Sequence, residues 1–254
     1  MIPKVIHYCW FGGNPLPKSA QKCIDSWRKY LPDYEIKEWN ESNFDVNVIP
    51  YTAEAYKAKK YAFVSDYARF WILYKYGGLY FDTDVEVIKN MDDIIAKGPF
   101  MGCENEAKAG ATPAQLGVAP GLGLGVTPGL GLYGEILDIY KDKHYILPDG
   151  TYSFETIVDI TTKILCTKGL VNSTCIQYID EVYVYPKDYF CPIDYKTSIC
   201  HITPNTRTIH HYSATWLPWY MKIEGAVWQK MGIGKQYYFT RLINKVCRVL
   251  RVMK

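Results

Sequence analysis

The stretch "YAFVSDYARFWILYKYGGLYFDTDVEV", residues 61–87, limits what this chain can fold into more than any other part of it. Its first sixteen residues read as one helix that is apolar on almost every face, stopped by Gly77-Gly78 in the C-cap position. Such a helix has to be buried on most sides, and 254 residues are enough to bury it. Two charges interrupt it. Asp66 and Arg69 stand three residues apart, which puts them on one helix face with Ala62 and Leu73, with Ser65 alongside. An internal ion pair adds little stability, because desolvation offsets most of the Coulomb gain, so the pair is read as lining a site.

Beyond the glycines the pattern changes period. Leu79, Phe81, Thr83, Val85 and Val87 alternate with Tyr80, Asp82, Asp84 and Glu86, which predicts a strand over 79–88 with the acids on one face. Carboxylates that close repel each other, and both stay ionised only when a cation lies between them. A hard divalent ion, Mg²⁺ or Mn²⁺, takes oxygen ligands and bridges carboxylates to the phosphate oxygens of a nucleotide. Asp84 is the expected direct metal ligand, and Asp82 is shared between the metal and sugar or ribose hydroxyls. A D-x-D alone is a weak signal, but its setting after an apolar helix, Gly-Gly and an aromatic strand strengthens it. A phosphatase of the haloacid dehalogenase type would need D-x-D-x-[TV] after its first strand. Here Glu86 holds the fifth position and α/β units precede the motif.

Those units open the chain. "KVIHYCW", residues 4–10, reads as a strand ending at Gly12-Gly13; "KSAQKCIDSWRKYL" reads as a helix ended by Pro32, and "YEIKEW" as a second strand. Strand, helix, strand is the start of an open parallel α/β sheet. Residues 52–60 add a first helical part before the apolar helix. Residues 109–134 carry "PGLGLG" and "PGLGLY", two copies only, and read as an irregular loop: a lid or binding loop, or a flexible insertion. Helices are expected over "GEILDIYKDKH" and "YSFETIVDITTKIL", and short strands over "IQYI", "VYVYP", "DYFCPI" and "SICHI".

A net charge of +3 without a clustered basic face does not suit nucleic-acid binding. The eight cysteines form no C-x-x-C pair, so neither a zinc site nor a compact disulfide framework is signalled, and a reduced, cytosolic setting is expected. The first residues lack a signal-peptide pattern, and no run of 18 apolar residues occurs, so neither secretion nor a membrane span is expected. Twenty-three Tyr, nine Phe and seven Trp suit stacking on sugars or bases, or a Tyr-rich core. The last residues, "FTRLINKVCRVLRVMK", carry an apolar stripe with only basic residues around it, the pattern of a membrane-surface helix; the competing reading packs that stripe on the rest of the chain.

Taken in order and approximate spacing, "IPKVIHYCWFGG", "SW…LPDYEIKEW", "AFVSDYARFWILYKYGGLYFDTDV" and "IHHYSATW" resemble glycosyltransferase family 32. These are D-x-D sugar transferases that include bacterial capsule and polysaccharide transferases and yeast mannosyltransferases, and they are related to the large clostridial glucosylating toxins. The likeness spans most of residues 2–90 and returns at 208–216. It implies a GT-A fold, a Rossmann-like mixed sheet flanked by helices, as a catalytic domain over 1–235 with a basic amphipathic helix over 236–254. It also implies transfer from a nucleotide-sugar donor, usually UDP-linked, with retention at the anomeric carbon and an Mn²⁺ or Mg²⁺ cofactor. The acceptor would be a glycan or a lipid-linked saccharide in polysaccharide biosynthesis, reached in the cytoplasm, with the C-terminal helix on the inner face of the membrane.

Carried over residue by residue, Trp10 matches the aromatic that stacks on the base, and His7 sits in the same motif. Asp66 and Arg69 match the pair holding the donor's sugar and ribose. Tyr80, Asp82 and Asp84 match the strand and motif that position donor and metal. His210 matches a C-terminal histidine expected as third metal or diphosphate ligand, with His211 the fallback. Trp216 matches the Trp of an S-W ending in which Thr215 stands for the usual Ser. The rival function is a catalytically inactive nucleotide-sugar or glycan-binding module of the same fold. The joint presence of Asp66, Arg69, Asp82, Asp84 and His210 argues against such decay.

Overall fold

The structure is a computed structural model of the full chain, and it describes residues 1–153, 155–194, 197–213 and 219–230. The described residues fall into two units: 1–192 with 202–211, and 193–201 with the residues from Tyr212 on.

The larger unit is built on a seven-stranded mixed sheet. Its strands are β1 (Val5–Cys9), β2 (Glu35–Trp39), β3 (Gly78–Tyr80), β5 (Phe100–Gly102), β6 (Leu124–Val126), β7 (Gln177–Ile179) and β8 (Val182–Tyr185), ordered β2-β1-β3-β6-β5-β8-β7. β1 runs parallel to β2 and β3, β5 is parallel to β8, and β6 is antiparallel to both β3 and β5. A second, two-stranded sheet pairs β4 (Val85–Val87) antiparallel with β9 (Thr208–His210). The helices are α1 (Lys18–Tyr30), α2 (Pro50–Lys57), α3 (Tyr61–Tyr76), α4 (Asp92–Ile95), α5 (Gly131–Lys141), α6 (Ile157–Thr167) and α7 (Lys187–Phe190). This is the α/β class that the sequence implies, a mixed sheet flanked by helices. In the smaller unit Ile193 bridges Cys200 and α8 spans Trp219–Lys230. Trp216, Thr215, the boundary expected at 235/236 and the C-terminal basic helix lie outside the described residues.

The apolar helix is α3. Val64, Tyr67, Ala68, Phe70, Ile72 and Leu73 are buried, and so is Arg69; Tyr74 and Tyr76 at its end stay about two-fifths exposed. Gly77 (φ +65°) and Gly78 (φ +101°) then turn the chain straight into β3, and neither tolerates a side chain. A Cβ on Gly77 would lie 2.6 Å from the Pro128 ring, and one on Gly78 2.6 Å from the Val5 carbonyl oxygen. The aromatic surplus goes largely into the core: Tyr51, Tyr80, Tyr133, Tyr140, Tyr145 and Tyr185 are fully buried.

Three expectations give way. The strand over 79–88 is broken, because residues 82–84 form a turn closed by the Val85 N–H on the Asp82 carbonyl (3.0 Å), so the acids do not line one strand face. The glycine-rich segment is neither lid nor flexible insertion in its second half. Residues 116–126 are buried and supply β6 to the middle of the sheet, where a Cβ on Gly125 would sit 2.1 Å from the Phe100 ring. "DYFCPI" overlaps the short helix α7, whose N-cap is Pro186, and "SICHI" contributes only the Cys200 bridge. Besides β6, the patterning did not single out β5, which sits between β6 and β8, or β9, which pairs with β4.

Candidate active site

The D-x-D turn is held from three directions. On the α1 side, Cys23, Ile24 and Trp27 share the buried face. The Trp27 indole donates to the Val85 carbonyl (2.7 Å), and the Val87 N–H donates to the Ser26 hydroxyl (2.9 Å), so α1 fixes β4 just after the turn. From β9, the His211 N–H donates to the Asp84 carbonyl (2.9 Å), and the β4–β9 register sets Val85 opposite His210. On the third side, the Asp82 N–H donates to the Gly121 carbonyl (3.2 Å). Gly121 lies so close that a Cβ there would fall 2.1 Å from Asp82 Oδ2.

Side chains converge on this turn. One guanidinium nitrogen of Arg69 reaches Asp66 Oδ1 (2.9 Å) and Asp82 Oδ1 (3.2 Å), while its Nε donates to the Ser65 carbonyl (3.2 Å). The guanidinium carbon sits 5.0 Å from the centroid of the Tyr80 ring, and the Tyr80 hydroxyl donates to Asp82 Oδ1 (3.1 Å). Arg69 is only 4% exposed, so its charge needs both carboxylates. Burial drives the Asp66 carboxyl up to about 6, against the pull of Arg69 and with the push of Asp82. Burial likewise raises Asp82, opposed by Arg69 and seconded by Asp84. Cys9, at the end of β1 beside this group, is raised to about 12 by burial and is a thiol, not a thiolate.

Across the turn, His210 Nε2 lies 3.2 Å from Asp84 Oδ1. Burial disfavours charge on this imidazole, but the Asp84 carboxylate and Cys191 outweigh it and lift it to about 10. Donor atoms of Asp82, Asp84 and His210 all lie within 4.8 Å of one another, and all three residues keep partial exposure. Two carboxylate oxygens and an imidazole nitrogen, half open to a substrate, fit a divalent cation with free coordination positions. His211 is engaged elsewhere: its Nε2 pairs with Glu86 Oε2 (2.8 Å), which gives Glu86 a partner.

The two N-terminal residues differ. His7 is buried, with Nδ1 accepting from the Trp39 indole (3.0 Å) and Nε2 donating to the Gly77 carbonyl (3.0 Å); both ring nitrogens are used inside the core, and burial lowers it to about 4. Trp10 lies at the end of β1, partly exposed, its indole donating to the Asn14 carbonyl (2.6 Å). Asp66, Arg69, Tyr80, Asp82, Asp84 and His210 therefore form one cluster, and His7 stands outside it. Patterning missed Gly121 and Cys191. A signal for Gly121 existed in "PGLGLG", since glycine marks places where another group must approach the backbone closely.

Residues 17–101, which include Asp66, Arg69, Tyr80, Asp82 and Asp84, match the model of the glycosyltransferase sugar-binding region containing DXD motif. The resemblance read from the motifs is thus borne out over this third of the chain, which is similar to the D-x-D glycosyltransferase sugar-binding region. Among individual proteins, inositol phosphoceramide mannosyltransferase 3 of Schizosaccharomyces pombe is 36% identical over 102 residues, 37% of this chain and 27% of that protein. An uncharacterised glycosyltransferase of Acanthamoeba polyphaga mimivirus is 34% identical over 106 residues, 39% of this chain and 42% of its own. The chain thus spans well under half the length of these relatives. A solved glycosyltransferase involved in glycosylation of the major capsid of PBCV-1 aligns over 84% of this chain and 95% of its own, at 12% identity and a TM-score of 0.43.

Proposed function

We propose that the chain is a metal-dependent glycosyltransferase that moves a hexosyl group from a nucleotide-sugar donor, UDP-linked on the family resemblance, to a glycan or lipid-borne acceptor with retention. One observation carries this reading: the D-x-D turn, the α3 ion pair and His210 meet at one partly open site, though they come from distant parts of the chain. The likeness to the inositol phosphoceramide mannosyltransferase of fission yeast supports a mannosyl group and an inositol phosphoceramide-like acceptor.

Breaking the glycosidic bond puts negative charge on the departing diphosphate. An Mn²⁺ or Mg²⁺ ion held by Asp82, Asp84 and His210 would supply the positive charge that offsets it. Asp82 accepts from Arg69 and Tyr80, which fixes the carboxylate without removing it from the site. Asp66, held in the same group by Arg69, would accept from donor hydroxyls. Arg69 keeps these acids close together and adds to the field on the leaving group. By resemblance, Trp10, partly exposed just after β1, would stack on the base, with Trp216 a further donor contact. Retention asks for no general base behind the sugar, and none is assigned.

The test is a screen of UDP- and GDP-sugars for hydrolysis with Mn²⁺ and with EDTA. Metal-dependent release of free sugar from at least one donor is expected; nucleotide binding with no turnover of any donor or acceptor would instead leave an inactive binding module.

A further inference from the structure

One carboxylate beside the cluster has no part in that mechanism. Glu104 leaves the C-terminal end of β5 and is anchored through its backbone: its N–H donates to the Gly117 carbonyl (2.8 Å), between the Cys103 N–H on Tyr185 (2.9 Å) and the Asn105 N–H on Leu116 (3.0 Å). Gly117 is left-handed (φ +60°), and a Cβ there would meet Glu104 Cγ at 2.9 Å and Oε1 at 3.0 Å. The side chain thus lies against a bare stretch of backbone.

The same stretch of backbone runs on to the site. The Ala119 N–H donates to the Gly102 carbonyl (2.9 Å), and two residues on Gly121 packs on Asp82, so the segment from Gly117 to Gly121 joins Glu104 to the D-x-D turn. On the other flank, Phe190 packs on Gly102, and the next residue, Cys191, hydrogen-bonds His210. Glu104 is half-buried, and its carboxylate makes no hydrogen bond or ion pair among the described residues. Burial pushes this carboxyl up, while the charges of His210 and Lys187 pull it down and Asp159 adds to the rise. A partly dehydrated carboxylate without a donor among the described residues is suited to take one from a substrate.

The sheet order says which part of the substrate this is. Trp10 follows β1, on one side of β3, whereas β5, which leads into Glu104, lies two strands away on the opposite side, beyond β6. A donor whose base sits at Trp10 and whose diphosphate sits at the D-x-D turn leaves the far side for the incoming nucleophile. We propose that Glu104 is the acceptor-side residue, accepting a hydrogen bond from the hydroxyl that attacks the anomeric carbon, whether of the acceptor or, when none is bound, of water. This rests on the glycosyltransferase reading. In that step the hydroxyl oxygen bonds to the anomeric carbon, and the bond from that carbon to the diphosphate oxygen breaks with its electron pair staying on the phosphate. The hydroxyl proton passes to the leaving phosphate, and Glu104 orients the hydroxyl without taking the proton.

The full chain, Glu104→Ala and Glu104→Gln are compared in two assays with Mn²⁺: hydrolysis of UDP-glucose, UDP-galactose, UDP-N-acetylglucosamine and GDP-mannose, and calorimetric binding of UDP and GDP. Glu104→Ala is expected to lower kcat for hydrolysis at least about tenfold, with nucleotide Kd within about twofold of wild type. Glu104→Gln, which keeps the shape and an accepting oxygen but not the charge, should fall in between, and it decides the matter if the alanine variant does not fold. Unchanged kcat in both variants overturns the proposal, as does nucleotide binding lost in step with kcat, which would make Glu104 a structural or donor-site residue. Wild-type protein that turns over none of the four donors removes the glycosyltransferase reading itself, and the assignment of Glu104 falls with it.

Discussion

Arg69 shows how much one buried charge can organise. Nearly all of its guanidinium is out of water, and what replaces the water is Asp66, Asp82, the Ser65 carbonyl and the face of Tyr80. Replacing it with methionine keeps much of the volume but leaves two carboxylates to repel across a partly dehydrated space. The cost should be about 3 kcal/mol, at the low end for a broken buried pair because Asp82 retains contact with water. Urea denaturation of Arg69→Met measures it, and a loss below about 1 kcal/mol would mean that water already screens the pair. His7 makes a second residue-scale prediction. Folded, it takes a proton only near pH 4, against 6.5 for the free side chain. Between those values the unfolded chain binds more protons, so stability falls as the pH drops from 6.5 to 4, by about 3 kcal/mol in all. Asp66 works the other way, since its folded carboxyl takes a proton already near pH 6 and the fold gains as pH falls through that value. The His7 contribution is therefore read as a difference: wild type should lose stability more steeply than His7→Gln over that range, and parallel curves would contradict it.

At the scale of elements, the site depends on a turn between two short strands clamped by α1, β9 and the glycine-rich segment. Gly121→Ala should push the Asp82 carboxylate aside, since the new methyl would start 2.1 Å from Oδ2. Affinity for Mn²⁺–UDP is expected to fall at least about tenfold while far-UV circular dichroism stays unchanged, because one displaced ligand is a local event. The same elements show what residue patterns can and cannot reveal. α3 was legible because its signals are local: apolar on most faces, a charged pair three apart, two glycines at the end. The break inside 79–88 was not, because Phe81, Thr83 and Val85 continue the alternation while the backbone turns under them. The glycine-rich stretch looked like a loop because glycine disfavours strands, yet in β6 glycine is what lets the Phe100 ring lie against the sheet. The contact of Asp84 with His210 joins residues 126 positions apart (210 − 84), and spacing carries no signal of that length; only the family resemblance pointed to it.

For the whole molecule, the match to the sugar-binding region covers residues 17–101, while His210, which completes the Asp82–Asp84 cluster, comes from far outside it. No helix among the described residues is long and apolar enough to cross a membrane. Attachment to a membrane, if the basic C-terminal stretch provides it, would be peripheral, with about 1 kcal/mol from each Lys or Arg near an anionic surface. Flotation with phosphatidylserine vesicles is expected for the full chain and not for a chain ending at residue 235; equal flotation of the two would assign that stretch to packing instead. The central claim is that Asp82, Asp84 and His210 together hold a divalent cation against the donor diphosphate. It is tested most directly by calorimetric titration of UDP into wild type, Asp84→Asn and His210→Ala, each with Mn²⁺ and with EDTA. Wild type should bind UDP at least about tenfold more tightly with Mn²⁺ than with EDTA, and both variants should lose that difference while keeping their metal-free affinity. An Mn²⁺ effect of the same size in Asp84→Asn would contradict the assignment of the site.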